Sequence, residues 1–99
     1  MKLQIRSVHF TADQSLLDFL QKKLDKLDTF FDRIVSGEVA LRVQKPESHD
    51  NKLVEVKIFV PGATLYCSEE AGTFETATDK AVEDLKKQLI RYKEKLATH

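Results

Sequence analysis

Residues 2–9 alternate, with apolar Leu3 and Ile5 set against polar Gln4 and Arg6. A period of two buries one face of a strand and wets the other, so this segment reads as a half-buried strand. Thr11 and Asp13 then offer capping oxygens ahead of a helical pattern. Leu16, Leu20, Leu24, Leu27, Phe31 and Ile34 recur at spacings of three and four, with Leu17 beside them. That stripe predicts one amphipathic helix. Lys22, Lys26 and Arg33 fall opposite it and Lys23 on its flank. The helix is expected to end near Ser36-Gly37, where a glycine suits the left-handed C-cap.

Val39, Leu41 and Val43 alternate with Ala40 and Arg42 as a second strand, and Lys45 to Asn51 is polar and contains Pro46, a hairpin-loop signal. Val54, Val56, Ile58 and Val60 alternate with Glu55, Lys57 and Phe59, the clearest strand in the chain. Pro61-Gly62 marks a tight turn, after which Leu65 and Cys67 alternate with Tyr66 and Ser68 in a fourth strand. Gly72-Thr73 opens a second helix whose apolar face is Phe74, Ala77, Ala81, Leu85, Leu89 and Leu96, with Val82 and Tyr92 on or beside it. This helix is expected to reach Lys95, about 22 residues and about 33 Å. The order is β-α-β-β-β-α. Short turns make the last three strands antiparallel, and the helical connection suits a parallel first pair. The fold class is α+β: a four-stranded sheet with two helices packed on one face.

Ninety-nine residues make one expected domain, 1–99, without repeats or low-complexity segments. The apolar runs fall far short of the roughly 18 residues that cross a bilayer. Lys2, Gln4 and Arg6 interrupt the place of a secretory h-region, so the expected compartment is the cytoplasm. Sixteen Lys and Arg balance sixteen Asp and Glu, and a neutral chain lacks the usual footprint of a nucleic-acid binder. The charge is segregated, however. Residues 86–95 carry five basic side chains against one acidic, while carboxylates gather at Asp25, Asp28 and Asp32 and at Glu69, Glu70 and Glu75.

No catalytic constellation emerges. His9, His49 and His99 stand on a strand, in a loop and at the terminus, with no metal-ligand spacing to one another or to Cys67. The single Cys67 has no partner for an internal disulfide and falls on the apolar phase of its strand, where cysteine is commonly core. Gly37, Gly62 and Gly72 are too dispersed for a phosphate-cradling loop. The expectation is a protein without catalytic residues, metal or cofactor. Among the cations, Lys80, Lys87, Arg91 and Lys95 form a stripe along the second helix, and Lys86 and Lys93 lie on its other flank. Such a stripe is either a solvated face with pairs such as Lys80–Asp84 and Glu83–Lys87, or a phosphate-binding surface. Past Lys86 the pairing runs out, because five cations share Glu94. Cations at a helix C-terminus also complement its dipole. A β-β-β-α core with basic helices is similar to the double-stranded RNA-binding fold, which reads shape and backbone.

The segment Lys23-Leu24-Asp25-Lys26-Leu27-Asp28-Thr29-Phe30-Phe31-Asp32-Arg33-Ile34 resembles the end of the first helix in ribosome hibernation promoting factors, where K-x-x-K-L is followed by two residues, an aromatic, and then F-D-R-I. These are also called ribosomal subunit interface proteins or sigma-54 modulation proteins. Ala77-Thr78-Asp79 and the run Leu85 to Leu96 look like the family's second-helix signature, A-I-D then L-x-R-Q-L-x-K-x-K-x-K. The element order agrees along the whole chain.

The resemblance implies a cytoplasmic stress or stationary-phase factor that docks between head and body of the small ribosomal subunit. There it would contact rRNA, occupy the decoding and tRNA channel, and inhibit translation without catalysing a reaction. The rRNA-binding positions carried over are Lys23, Lys26, Lys87, Arg91, Lys93 and Lys95; Lys22 and Lys86 join them on charge and phase. No DNA, membrane or small-molecule substrate is implied. A chain ending after the second helix resembles the short class, for which a separate ribosome-dimerising factor would be the partner that pairs ribosomes. Asp84 stands where many members carry Lys, and Tyr92 where His is frequent. Tyr92 either stacks on a base or packs on the sheet, and its phase with Phe74 and Leu85 favours packing. The alternative function is a protein-interaction module that modulates a transcription factor, as the older family label suggests.

Overall fold

The computed structural model of the chain describes residues 1–44 and 51–97. The strands are β1 (Leu3–Ser7), β2 (Ser36–Val43), β3 (Lys52–Val60) and β4 (Ala63–Ala71). The helices are α1 (Gln14–Asp25), continued by a 3-10 turn over Lys26–Thr29, and α2 (Phe74–Ala97). The sheet order is β1-β2-β3-β4. β1 and β2 are parallel, as a helical crossover allows, and the other pairs are antiparallel. The expected α+β architecture is the observed one. The loop expected over 45–51 lies outside the described residues except for Asn51, as do His49 and His99.

Register carries the alternation of each strand across the sheet. Ile5, Val39, Val56 and Cys67 form one transverse row, and Leu41 and Val54 belong to the next. Val39, Leu41, Val54, Val56, Ile58 and Cys67 are buried beneath Leu20, Leu24 and Leu27 of the first helical segment and Ala77, Ala81, Leu85 and Leu89 of α2. Full burial of each such aliphatic chain is worth about 1.5–3 kcal/mol. Asp13 caps α1, accepting from the Leu16 amide at 2.8 Å, and Thr73 Oγ1 accepts from the Thr76 amide at 3.1 Å at the start of α2. At the β3–β4 turn Gly62 adopts φ 79°, as the Pro-Gly signal requires.

The first helix is shorter than its stripe. It ends at Asp25, tightens into the 3-10 turn, and Phe30–Val35 is not helical. Leu27 and Phe31 stay buried all the same, so the apolar period records continued burial after the helical backbone has stopped. The Phe30 and Phe31 amides both turn back to the Leu27 carbonyl, at 3.0 and 3.3 Å. Sheet pairing claims the next backbone groups: Val35 donates to Phe59 O and Gly37 to Lys2 O, each at 2.8 Å. Gly37 is therefore a strand residue and not a C-cap. Its lack of a side chain serves packing, since a Cβ there would lie 2.7 Å from Leu3 Cδ2 and 3.1 Å from Ile58 Cδ1.

Candidate nucleic-acid interface

The N-terminal helical segment and α2 run side by side in the same direction over the sheet. Phe10 stacks on Phe74 with ring centroids 5.2 Å apart. Farther along, Lys23 Nζ reaches Asp79 Oδ1 at 3.2 Å, and Lys86 Nζ lies 4.9 Å above the Phe30 ring. At the far end Phe31 meets Tyr92 edge-on, centroids 5.2 Å apart. Two parallel helical ridges thus bring cations that are 60 or more residues apart in sequence onto one layer of the molecule.

The eight expected cations divide by what they do. Lys23 is partly committed, tied to Asp79 and 5.4 Å from the Phe19 ring centroid. Lys86 covers Phe30, a contact worth about 0.5–1 kcal/mol at an exposed site. Lys22, Lys26, Lys87, Arg91 and Lys93 are exposed and make no ion pair among the described residues. Lys95 is exposed as well. The pairs Lys80–Asp84 and Glu83–Lys87 do not close; Lys80 Nζ instead reaches Glu70 O at 3.2 Å, and Asp84 accepts from Gln88 at 2.9 Å. The two ion pairs expected of a solvated, charge-paired face are therefore not formed.

Lys93 lies in a groove of about 550 Å³ shared with Asp28, Phe30, Arg33 and Leu96. Lys87, Arg91 and Lys95 line concavities on the opposite flank, beside Glu69 and Leu65 of β4. The cations therefore spread around the C-terminal half of α2 and do not converge on a point. Such an array suits a polyanionic backbone: it attracts phosphates over a length of helix and reads no sequence. Two carboxylates next to the α1 cations are already engaged, because the Met1 ammonium contacts Asp25 Oδ1 and Asp28 Oδ2 at 2.7 Å each. Those hydrogen bonds push the ammonium pKa up.

Arg33 is a candidate that the site expectation omitted. It is exposed, sits 5.2 Å from the Phe31 ring centroid, and borders the groove of Lys93. The F-D-R-I motif contained the signal, and Arg33 shares its helical phase with Lys22 and Lys26, which the expectation did include. Tyr92 packs: its hydroxyl donates to Pro61 O and its ring meets Phe31. Cys67 is buried, and burial, followed by Asp84, pushes its thiol up to about 12. It is protonated at neutral pH, the opposite of an activated nucleophile. Among the described residues no group of three or more His, Cys, Asp or Glu is placed to hold a metal ion, and no helix is long and apolar enough to cross a membrane.

The chain is similar to several known proteins. A ribosome hibernation promoting factor from Klebsiella oxytoca is 29% identical over 99 residues, covering 100% of both chains. Its namesake from Escherichia coli is 30% identical over 99 residues, again covering 100% of both. Among solved structures, a ribosomal subunit interface protein from Coxiella burnetii superimposes with a TM-score of 0.85 at 22% identity, covering 95% of this chain and 99% of that one. The N-terminal domain of Protein Y from Thermus thermophilus gives 0.81 at 24% identity, covering 93% and 99%. At those identities the two structures speak for the fold. The family model described as Sigma 54 modulation protein / S30EA ribosomal protein matches residues 3–97, and the chain belongs to that family.

Proposed function

We propose that this protein binds the small ribosomal subunit in its decoding and tRNA channel and holds the ribosome in an inactive, hibernating state. Relatives named ribosome hibernation promoting factor supply the process. The observation that carries the mode of binding is the set of exposed cations on α2, with Lys87, Arg91 and Lys93 free of ion pairs among the described residues. Docking would set these side chains, with Lys95 and with Lys22, Lys23, Lys26 and Lys86, against rRNA phosphates. Translation is inhibited by occupancy, since messenger and tRNA cannot enter a filled channel, and no bond is made or broken. In this reading residues 1–99 act as one ribosome-binding domain in the cytoplasm.

Footprinting tests the location. Purified protein added to small subunits should shield rRNA backbone positions that line the path of messenger and tRNA, and should stop translation in a reconstituted system at stoichiometric amounts. Protection confined to the solvent side of the subunit, or undiminished translation with the protein bound, would contradict the proposal.

A further inference from the structure

The face of the sheet turned away from the helices carries a second, differently built site. Register sets Arg6, Ala40, Glu55 and Ser68 in one transverse row, and Gln4, Glu38, Lys57 and Tyr66 in the next. Ala40 is the small residue among long neighbours, and the sheet is dented above it by a concavity of about 470 Å³. That volume falls in the usual range for small-ligand sites.

The wall of this dent is held in place. Glu55 accepts from Arg42 Nε at 2.8 Å and from the Tyr66 hydroxyl at 3.0 Å. Those two hydrogen bonds, Arg42 first, hold the Glu55 carboxyl below its ordinary range. Tyr66 is fixed at its hydroxyl while 48% of the residue stays exposed. Its ring joins no aromatic pair among the described residues. Phe59 lies on the same face, diagonal to Tyr66 across the β3–β4 ladder. Arg6 and Lys57 are exposed and without ion pairs among the described residues.

We infer that this open face binds an unpaired RNA strand, with a base stacked on Tyr66 and a flanking phosphate on Arg6 and Lys57. Four-stranded sheets with exposed aromatics bind single-stranded RNA by such stacking. Every base has a π-face, and Lys57, directly across from Tyr66, with Arg6 farther along the dent, supplies the complement to the backbone. The carboxylate of Glu38 adds a preference. It repels phosphate but accepts hydrogen bonds from exocyclic amino groups, as carboxylates do from cytosine. Cytidine is therefore favoured over uridine, which has no amino group to offer. Single strand over duplex follows from the site, because a base inside a duplex already has both faces covered by its neighbours. RNA as the strand rests on the function proposed above, while binding to an isolated oligomer is measured without ribosomes and fails separately from it.

The chain has two tyrosines and no tryptophan, so in a Tyr92→Phe background Tyr66 is the only tyrosine that emits. Titration with an eight-nucleotide cytidine oligomer should quench that emission. A uridine oligomer should bind several-fold more weakly, and a fully paired RNA should compete poorly. In the otherwise wild-type chain, with a labelled cytidine oligomer, Tyr66→Leu should weaken binding roughly tenfold or more. Tyr66→Phe should stay within about twofold of wild type, and circular dichroism verifies the fold of each variant. Unquenched Tyr66 emission at saturation, undiminished binding by Tyr66→Leu, or equal competition by duplex would each overturn the inference.

Discussion

The two faces of the molecule use the same residue types in opposite ways. On the helical layer, Lys87, Arg91 and Lys93 project into solvent without ion pairs among the described residues. On the open sheet face, Arg42 and Tyr66 are both bound to Glu55, and Arg6 and Lys57 flank the same dent. The first arrangement spends little energy on orientation and would suit a large polyanion drawn in from a distance. The second orients one ring and a few charges, and can select among small groups. A net charge of zero for the whole chain hides both, since each depends on where the charges stand and whether they are already paired.

Breaking the first face should have the largest effect. Replacing Lys87, Arg91, Lys93 and Lys95 together with Gln removes about four phosphate contacts, and ribosome affinity at 50 mM salt should fall by roughly 100-fold or more. The melting temperature should move by only a few degrees, because all four side chains are exposed. Arg6→Gln with Lys57→Gln, on the other face, should leave ribosome co-sedimentation within about threefold of wild type. A large loss there would show that both faces meet the ribosome.

The frame that separates the faces is tested by Gly37→Ala. The added methyl meets the end of the flexible Leu3 side chain at 2.7 Å and the buried Ile58 Cδ1 at 3.1 Å, and unfolding in urea should show a loss of about 1 kcal/mol. Cys67, at the bottom of that frame, should resist alkylation in native protein at pH 8 and react on unfolding, since its thiol is pushed up to about 12. The smallest effect is at Glu55. Its folded pKa is lowered, so its contribution is present above the unfolded value near 4.5 and is lost as pH falls through the folded value. Glu55→Gln should cost under about 1 kcal/mol at pH 7, and the difference from wild type should shrink in urea titrations taken at progressively lower pH.

Strands and α2 were legible because their periods coincide with burial. Val54, Val56 and Ile58 alternate and are buried, and the apolar face of α2 predicted an end within two residues of the observed one. The first helix misled because Leu27 and Phe31 keep the helical spacing while the backbone turns away to join the sheet. Period reports which side chains face the core, and only hydrogen bonding tells helix from turn. The α2 cations could be read from phase within a single element. The contacts of Lys23 with Asp79 and of Lys86 with Phe30 could not, since each joins residues 56 apart along the chain. The same holds for the dent over Ala40, which exists because register brings β1, β2, β3 and β4 side chains together.

If exposed helix cations meet ribosomal phosphates, binding depends steeply on salt. Protein and ribosomes are sedimented together through sucrose at salt concentrations from about 50 to 200 mM. Binding should follow a steep log–log slope of about −7 for some eight phosphates, with a roughly 10,000-fold loss across that range. The protein should travel with the small subunit and intact ribosomes, and the four-Gln variant should remain at the top. Co-sedimentation that ignores salt would contradict the account and point to a packed protein–protein interface. Absence from ribosome fractions at every salt concentration would contradict it outright.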